Sequence, residues 1–189
     1  MSLRDVDLSV RVHALNLVAD LDKTGVFDED PAQRSKIVRL VYDSEPRVRR
    51  AVGGFFHGLW EQRVESLKSA SSGGRKKKGK APADDDLATR FGYKAIAVLL
   101  LETARTLDPN GSDLAQAASR STAAVEALWD QFEELQNWEE LAEYLLLDHS
   151  EEEAWLLEEE EETLLLSILV ACIKRDETVS LPAGFFGCN

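Results

Sequence analysis

The sequence predicts an all-α protein built from antiparallel helix pairs stacked on one another. Three observations carry this. The 189 residues contain only 5 Pro, and 44% are apolar, which favours helices around a sizeable core over strands or disorder. Apolar residues recur at helical spacing in segment after segment. One pattern of acidic turn, Val-Arg pair and apolar helix returns after 38 residues.

The first helix is read over residues 4–21, where Val10, Ala14, Leu17, Val18 and Leu21 share a face, and Gly25 ends it. The acidic run at 28–30 and Pro31 open a second helix, since Asp and Glu suit a helix N-terminus and Pro suits its first turn. Ile37, Val38 and Val41 supply its apolar stripe, with Leu40 beside it. The first pattern then recurs. Residues 5–15 align with 43–53, matching Asp5 to Asp43, Val10 to Val48 and Arg11 to Arg49, and further on Leu17 to Phe55 and Leu21 to Leu59. A unit of about 40 residues is the period of HEAT-type helix pairs. One such pair cannot bury its apolar face alone, so neighbours stack into a continuous core. The fold class is therefore a HEAT-repeat-like α-solenoid, right-handed or irregular.

Residues 69–86 interrupt the pattern with Ser, Gly, Lys, Pro and Asp, and read as a flexible charged loop. Helices resume at 87 and run to Leu107, and 108–113 is a turn. One further helix is expected from Leu114 to Gln136, with Trp129, Phe132 and Leu135 near one face. Asn137 is the expected N-cap of a short helix that follows. Residues 163–175 read as a buried helix closed by Lys174 and Arg175, cations suited to a C-terminus. The chain thus divides into helical repeats at 1–68, the loop at 69–86, further repeats at 87–177, and an irregular tail at 178–189 that holds Phe185 and Phe186.

Charge is unevenly placed. Residues 1–80 carry 16 Lys+Arg against 11 Asp+Glu (+5), and residues 81–189 carry 6 against 24 (−18), giving the net −13. One electrostatic role for the whole chain does not fit, and separate partners for the two halves do. Cys172 and Cys188 make no CxxC, so a reducing compartment is expected, with Cys172 a small core residue. The run Leu164–Ile173 is too short to span a bilayer, and no apolar signal region precedes it at the N-terminus. The chain reads as soluble and intracellular.

Three stretches together resemble the stromal antigen (stromalin) family of cohesin subunits, in its fungal form: VRLVYDSEPRVRRAVGGFF at 38–56, ALWDQFEELQNWEELAEYLLLD at 127–148 and TLLLSILVACIKR at 163–175. Their order and spacing match the family, including a variable loop where the lysine run sits, and the likeness covers roughly residues 4–176. The resemblance implies the region that follows the conserved stromalin domain of a long, hook-shaped helical-repeat protein. It implies a nuclear, non-enzymatic scaffold in sister-chromatid cohesion that binds the kleisin subunit and helps hold DNA or chromatin. It implies no membrane, small-molecule substrate or cofactor. Family members are several times longer, so the chain is expected to be a fragment or a truncated gene reading, with the tail at 178–189 departing from the family. Two alternatives stay open: another HEAT-type adaptor, and a non-functional fragment of a mispredicted gene.

The residues suggest no catalytic or metal site. His13, His57 and His149 lack a second His or Cys at ligand spacing, there is no GxSxG, and the glycines and lysines at 73–80 lack P-loop spacing. Two surfaces remain. Arg47, Arg49, Arg50, Arg75, Lys76, Lys77, Lys78 and Lys80 are candidate DNA contacts, which would neutralise phosphates without reading sequence. The arginines can equally pair with Asp43 and Glu45, and the lysines can be a solvated loop or a nuclear localisation signal. Glu151, Glu152, Glu153, Glu158 and Glu159, with Trp155 as an apolar anchor, are a candidate docking surface for a basic partner segment. The other reading of this stretch is a solvated loop. Trp60, Trp129 and Trp138 are expected in the core.

Overall fold

A computed structural model describes residues 7–25, 30–72, 84–108, 114–149 and 155–180. These form eight α-helices and one 3-10 turn, with no β-strand among the described residues. The helices are α1 (Leu8–Lys23), α2 (Pro31–Val38), α3 (Pro46–Ser72), α4 (Asp84–Leu107), α5 (Leu114–Leu128), α6 (Glu133–Gln136), α7 (Trp138–Leu145) and α8 (Glu159–Ser180), with the 3-10 turn at Arg39–Tyr42. The fold is an all-α solenoid. α1, α3, α5 and α8 pack in that order as one row. α2 and the 3-10 turn lie against α3, and α4, α6 and α7 complete the second layer, with α4 resting on both α3 and α8.

Local chemistry sets the helix ends. Asp7 caps α1 by accepting the Ser9 N–H at 2.8 Å. Gly25 follows its end with φ +69°, a left-handed conformation that costs glycine nothing. Asp30 caps α2 and Pro31 occupies its first position. The end of α1 before Gly25 and the start of α2 at Pro31 lie where the sequence pattern puts them; α1 itself begins at Leu8, and residues 4–6, read as its first turn, lie outside the described residues.

One cluster of buried residues joins every element except α2's exposed start. It runs from Leu15 and Val18 through Val41, Val52, Phe55 and Phe56 to Ile96, Leu128, Leu141, Leu165, Ile168 and Cys172. Burying each large side chain stabilises the fold by about 1.5–3 kcal/mol. Aromatic rings tie the layers: Phe132 meets Phe56 edge-on at 6.0 Å and Trp60 at 5.3 Å, and Tyr93 stacks on Tyr144 at 5.4 Å. The Trp60 indole N–H donates to the Gly92 carbonyl at 2.9 Å. Trp60, Trp129 and Trp138 are half-buried against this core. Ile37, Val38 and Val41 are buried, as their spacing predicts. So is Cys172, whose thiol desolvation pushes up to about 12.

Other expectations are corrected. α1 buries Ala14, Leu15, Val18 and Ala19, while Val10 and Leu17 stay 47% and 51% exposed. The cause is the close approach of α3, where Gly54 faces Ala19 and Gly58 faces Asp22, rolling α1 toward its small residues. The helix expected from 114 to 136 breaks after Leu128. Phe132 is extended (φ −124°, ψ 105°), which turns its ring into the core, and Gln136 satisfies the freed Trp129 carbonyl at 2.7 Å. Asn137 precedes α7, but its side chain makes no capping bond. α8 passes Lys174 and Arg175 and continues to Ser180, beyond the expected tail boundary at 178. α3 reaches Ser72 and α4 starts at Asp84, so both enter the expected loop. Residues 73–83, the turn at 109–113 and Phe185, Phe186 and Cys188 lie outside the described residues.

α3 packs tightly enough on α5 to make Gly53 and Gly54 behave differently. A Cβ at Gly53 would stand 2.9 Å from the Ala127 carbonyl oxygen, whereas one at Gly54 would meet only the Ala19 methyl at an ordinary 3.6 Å. Overpacking costs about 1–3 kcal/mol, and replacing a mid-helix glycine by alanine returns up to about 1 kcal/mol. Gly53→Ala is therefore expected to lower the urea midpoint and Gly54→Ala to raise it.

Candidate interaction surfaces

The turn between Tyr42 and Pro46 organises the basic candidates. Asp43 accepts the Glu45 N–H at 2.9 Å, bending the chain, and accepts Arg11 of α1 at 2.5 Å with its other oxygen. Arg49 reaches back from the first turn of α3. Its Nη1 donates to the carbonyls of Asp43 (2.7 Å) and Ser44 (3.1 Å), and its Nη2 pairs with Glu126 of α5. The Arg49 side chain is only 12% exposed. Arg49 is thus a structural strut with its donors directed inward. The sequence pattern makes it a candidate DNA contact, with pairing to Asp43 and Glu45 as the alternative. The structure instead gives it carbonyls and a carboxylate 77 residues away. Arg47 and Arg50 are exposed and form no ion pair among the described residues. Arg75, Lys76, Lys77, Lys78 and Lys80 lie outside the described residues, as do Glu151, Glu152 and Glu153.

The acidic candidates divide in the same way. Glu158, Glu159 and Glu160 are exposed. Glu161 is buried, 5% exposed, a role that the uniform glutamate run hides. It accepts the Glu158 N–H at 2.7 Å, which caps α8 from inside its first turn, and accepts the Lys94 ammonium of α4 at 2.5 Å. Arg105 of α4 pairs with Glu160 nearby, and that bond pushes its guanidinium further up from its ordinary value. The start of α8 is therefore bound to α4 at two points.

Trp155 is half-buried and already engaged. Arg90 stands over its ring at 4.6 Å, and its carbonyl accepts the Tyr144 hydroxyl. Burial pushes that hydroxyl well above the usual phenol range. The neighbouring His149 is an internal clamp. Its Nδ1 accepts the Leu157 N–H at 3.2 Å and its Nε2 lies 3.1 Å from the Tyr144 carbonyl, which assigns the neutral tautomer with the proton on Nε2. His57 lies against Trp60 and Phe132, and His13 faces the Ser9 carbonyl. No group of three His, Cys, Asp or Glu side chains among the described residues is placed to hold a metal ion. No helix among them is long and apolar enough to cross a membrane.

Residues 124–185 match the family model for the cohesin subunit SCC3/SA, HEAT-repeats domain. The match covers about a third of the chain, from the last third of α5 through α8, and runs past residue 176, where the resemblance read from the sequence ends. It supports the stromalin family. No curated protein and no solved structure matches the chain.

Glu134 gives a pH test of this packing. Desolvation raises its carboxyl from the ordinary value, against the opposing pull of its own backbone N–H and of His57. A carboxyl raised by folding favours the protonated state, so its contribution is present at low pH and lost as pH rises through its folded titration. Glu134→Gln is expected to be more stable than the parent at neutral pH. Thermal melts should show that gain shrinking as pH falls through the carboxylate range.

Proposed function

We propose that the chain is a non-enzymatic scaffold segment of a cohesin subunit, acting in the nucleus in sister-chromatid cohesion by binding the kleisin chain and, more weakly, DNA. The observation that carries this is the match of residues 124–185 to the cohesin HEAT-repeat model, on helices that pack as a solenoid. The order of the three resembling stretches adds to it. The exposed Glu158, Glu159 and Glu160, with Glu151, Glu152 and Glu153 shortly before them in the sequence, suit a basic segment of the kleisin by charge. Trp155 offers that segment a ring edge rather than a deep anchor, since its face is stacked by Arg90. Arg47 and Arg50, exposed and without an ion pair among the described residues, suit DNA phosphates, as do Arg75, Lys76, Lys77, Lys78 and Lys80 by their charge, while Arg49 holds the turn before Arg47 and Arg50.

Two measurements check this reading. Isothermal titration of the chain with the purified kleisin subunit should give saturable binding that weakens in Glu158→Lys/Glu159→Lys. Binding of arbitrary basic peptides with none of the kleisin points instead to a different HEAT-type adaptor. For DNA, affinity should be independent of sequence and fall steeply with salt. Removing two phosphate contacts in Arg47→Gln/Arg50→Gln should reduce the slope of log K against log salt by about 2. A slope unchanged in that variant removes the two arginines from the DNA surface.

A further inference from the structure

The connection between α7 and α8 closes on His149. Its Nδ1 accepts the Leu157 N–H at 3.2 Å and its Nε2 donates to the Tyr144 carbonyl at 3.1 Å, so the ring joins the end of α7 to the residues just before α8. The Tyr144 hydroxyl donates to the Trp155 carbonyl alongside, and the rings of Tyr144 and Trp155 meet the imidazole edge-on at 5.3 and 6.3 Å. Leu156 and Leu157 are buried, so the Leu157 N–H gains little from water if its bond to the ring is lost. A neutral imidazole is one donor and one acceptor, and the clamp uses both. A protonated imidazole is two donors. Protonation at Nδ1 therefore sets N–H against N–H and leaves a buried amide without its partner, while the bond from Nε2 survives.

We propose that His149 is a proton-operated clamp, closed while its ring is neutral and opened by protonation, which loosens the start of α8 from the end of α7. Because the clamp needs the neutral ring, its contribution is present above the range in which imidazoles titrate, about pH 6.5, and is lost as pH falls through that range. Arg90 of α4, over the Trp155 ring, opposes a second positive charge here. Glu161 of α8 acts with Arg90 on the Tyr144 hydroxyl. Glu158 follows Leu157 and Asp148 precedes the ring, and these carboxylates favour a positive charge. Cation and carboxylates thus pull in opposite directions, and the Leu157 bond is the contact that only the neutral ring makes. Glu158, Glu159 and Glu160 follow the clamped residues directly, so opening also changes how firmly that acidic stretch is held. The inference stands on this geometry and is independent of the cohesin reading.

The test is NMR of the full chain from about pH 8 to about pH 5, recording the His149 ring nitrogens and the hydrogen exchange of the Leu157 amide, with the Ile96 and Ile168 amides inside α4 and α8 as references. At neutral pH the ring proton is expected on Nε2. As the ring takes up its second proton, Leu157 protection, corrected for intrinsic exchange, should fall about tenfold, the weight of one hydrogen bond, while the references hold. His149→Leu should lower Leu157 protection at every pH and remove its dependence on pH. His149→Gln, whose carboxamide offers an acceptor and a donor without titrating, should also give protection that is flat with pH. A ring proton on Nδ1 at neutral pH overturns the proposal. So does Leu157 protection that survives protonation of the ring, or a fall with pH that persists in His149→Leu.

Discussion

Arg49 reaches from the first turn of α3 into two neighbours at once. Its guanidinium binds the Asp43 and Ser44 carbonyls of the preceding turn and the Glu126 carboxylate of α5, while Asp43 itself holds Arg11 of α1. A planar fork with several donors can do this, and an ammonium cannot. The arrangement fixes the angle at which the chain leaves the 3-10 turn and enters α3. It therefore fixes the positions of α1 and α5 on either side. One guanidinium nitrogen, Nε, is buried without a hydrogen bond among the described residues, so the site accepts a polar penalty to keep this geometry.

The rest of the row builds on that angle. Gly53 lets α3 approach the α5 backbone, Gly54 and Gly58 let it approach α1, and the Phe56–Phe132–Trp60 cluster fills the space behind. α4 then closes over α3 and α8 through Arg63–Glu102 at 2.9 Å and the buried Lys94–Glu161 pair. Buried pairs of this kind specify an arrangement more than they stabilise it, because desolvation offsets much of the attraction. What remains outward is what can meet partners: Arg47 and Arg50 at one end of α3, and the exposed glutamates before and at the start of α8.

Much of the fold was legible in the sequence because its signals are local. Asp30 and Pro31, Gly25, and the stripe of Ile37, Val38 and Val41 each act through their own turn of chain. The misreadings have non-local causes. Val10 and Leu17 fit a helical stripe as well as Leu15 does, and only the glycines of α3, more than thirty residues on, decide which side α1 turns inward. Helical spacing continues smoothly through Trp129 and Phe132, but the core required the Phe132 ring, and the helix breaks there to deliver it. The candidate surfaces were legible as charge clusters and not as roles. Nothing local separates Arg49 from Arg47 and Arg50, or Glu161 from its neighbouring glutamates, because their partners Glu126 and Lys94 lie far away in sequence.

The central claim is that Arg49 is a strut on which α1, α3 and α5 depend, while its neighbour Arg50 is an exposed charge with no ion pair among the described residues. Urea unfolding of Arg49→Met and Arg50→Met compares the two directly, since both changes keep most of the stem and remove the charge. Loss of a largely buried charged donor set predicts that Arg49→Met costs about 2–3 kcal/mol. Arg50→Met should stay within about 0.5 kcal/mol of the parent. Equal and small effects for both variants would contradict the account, and the turn would then be held by Asp43 and the apolar core alone.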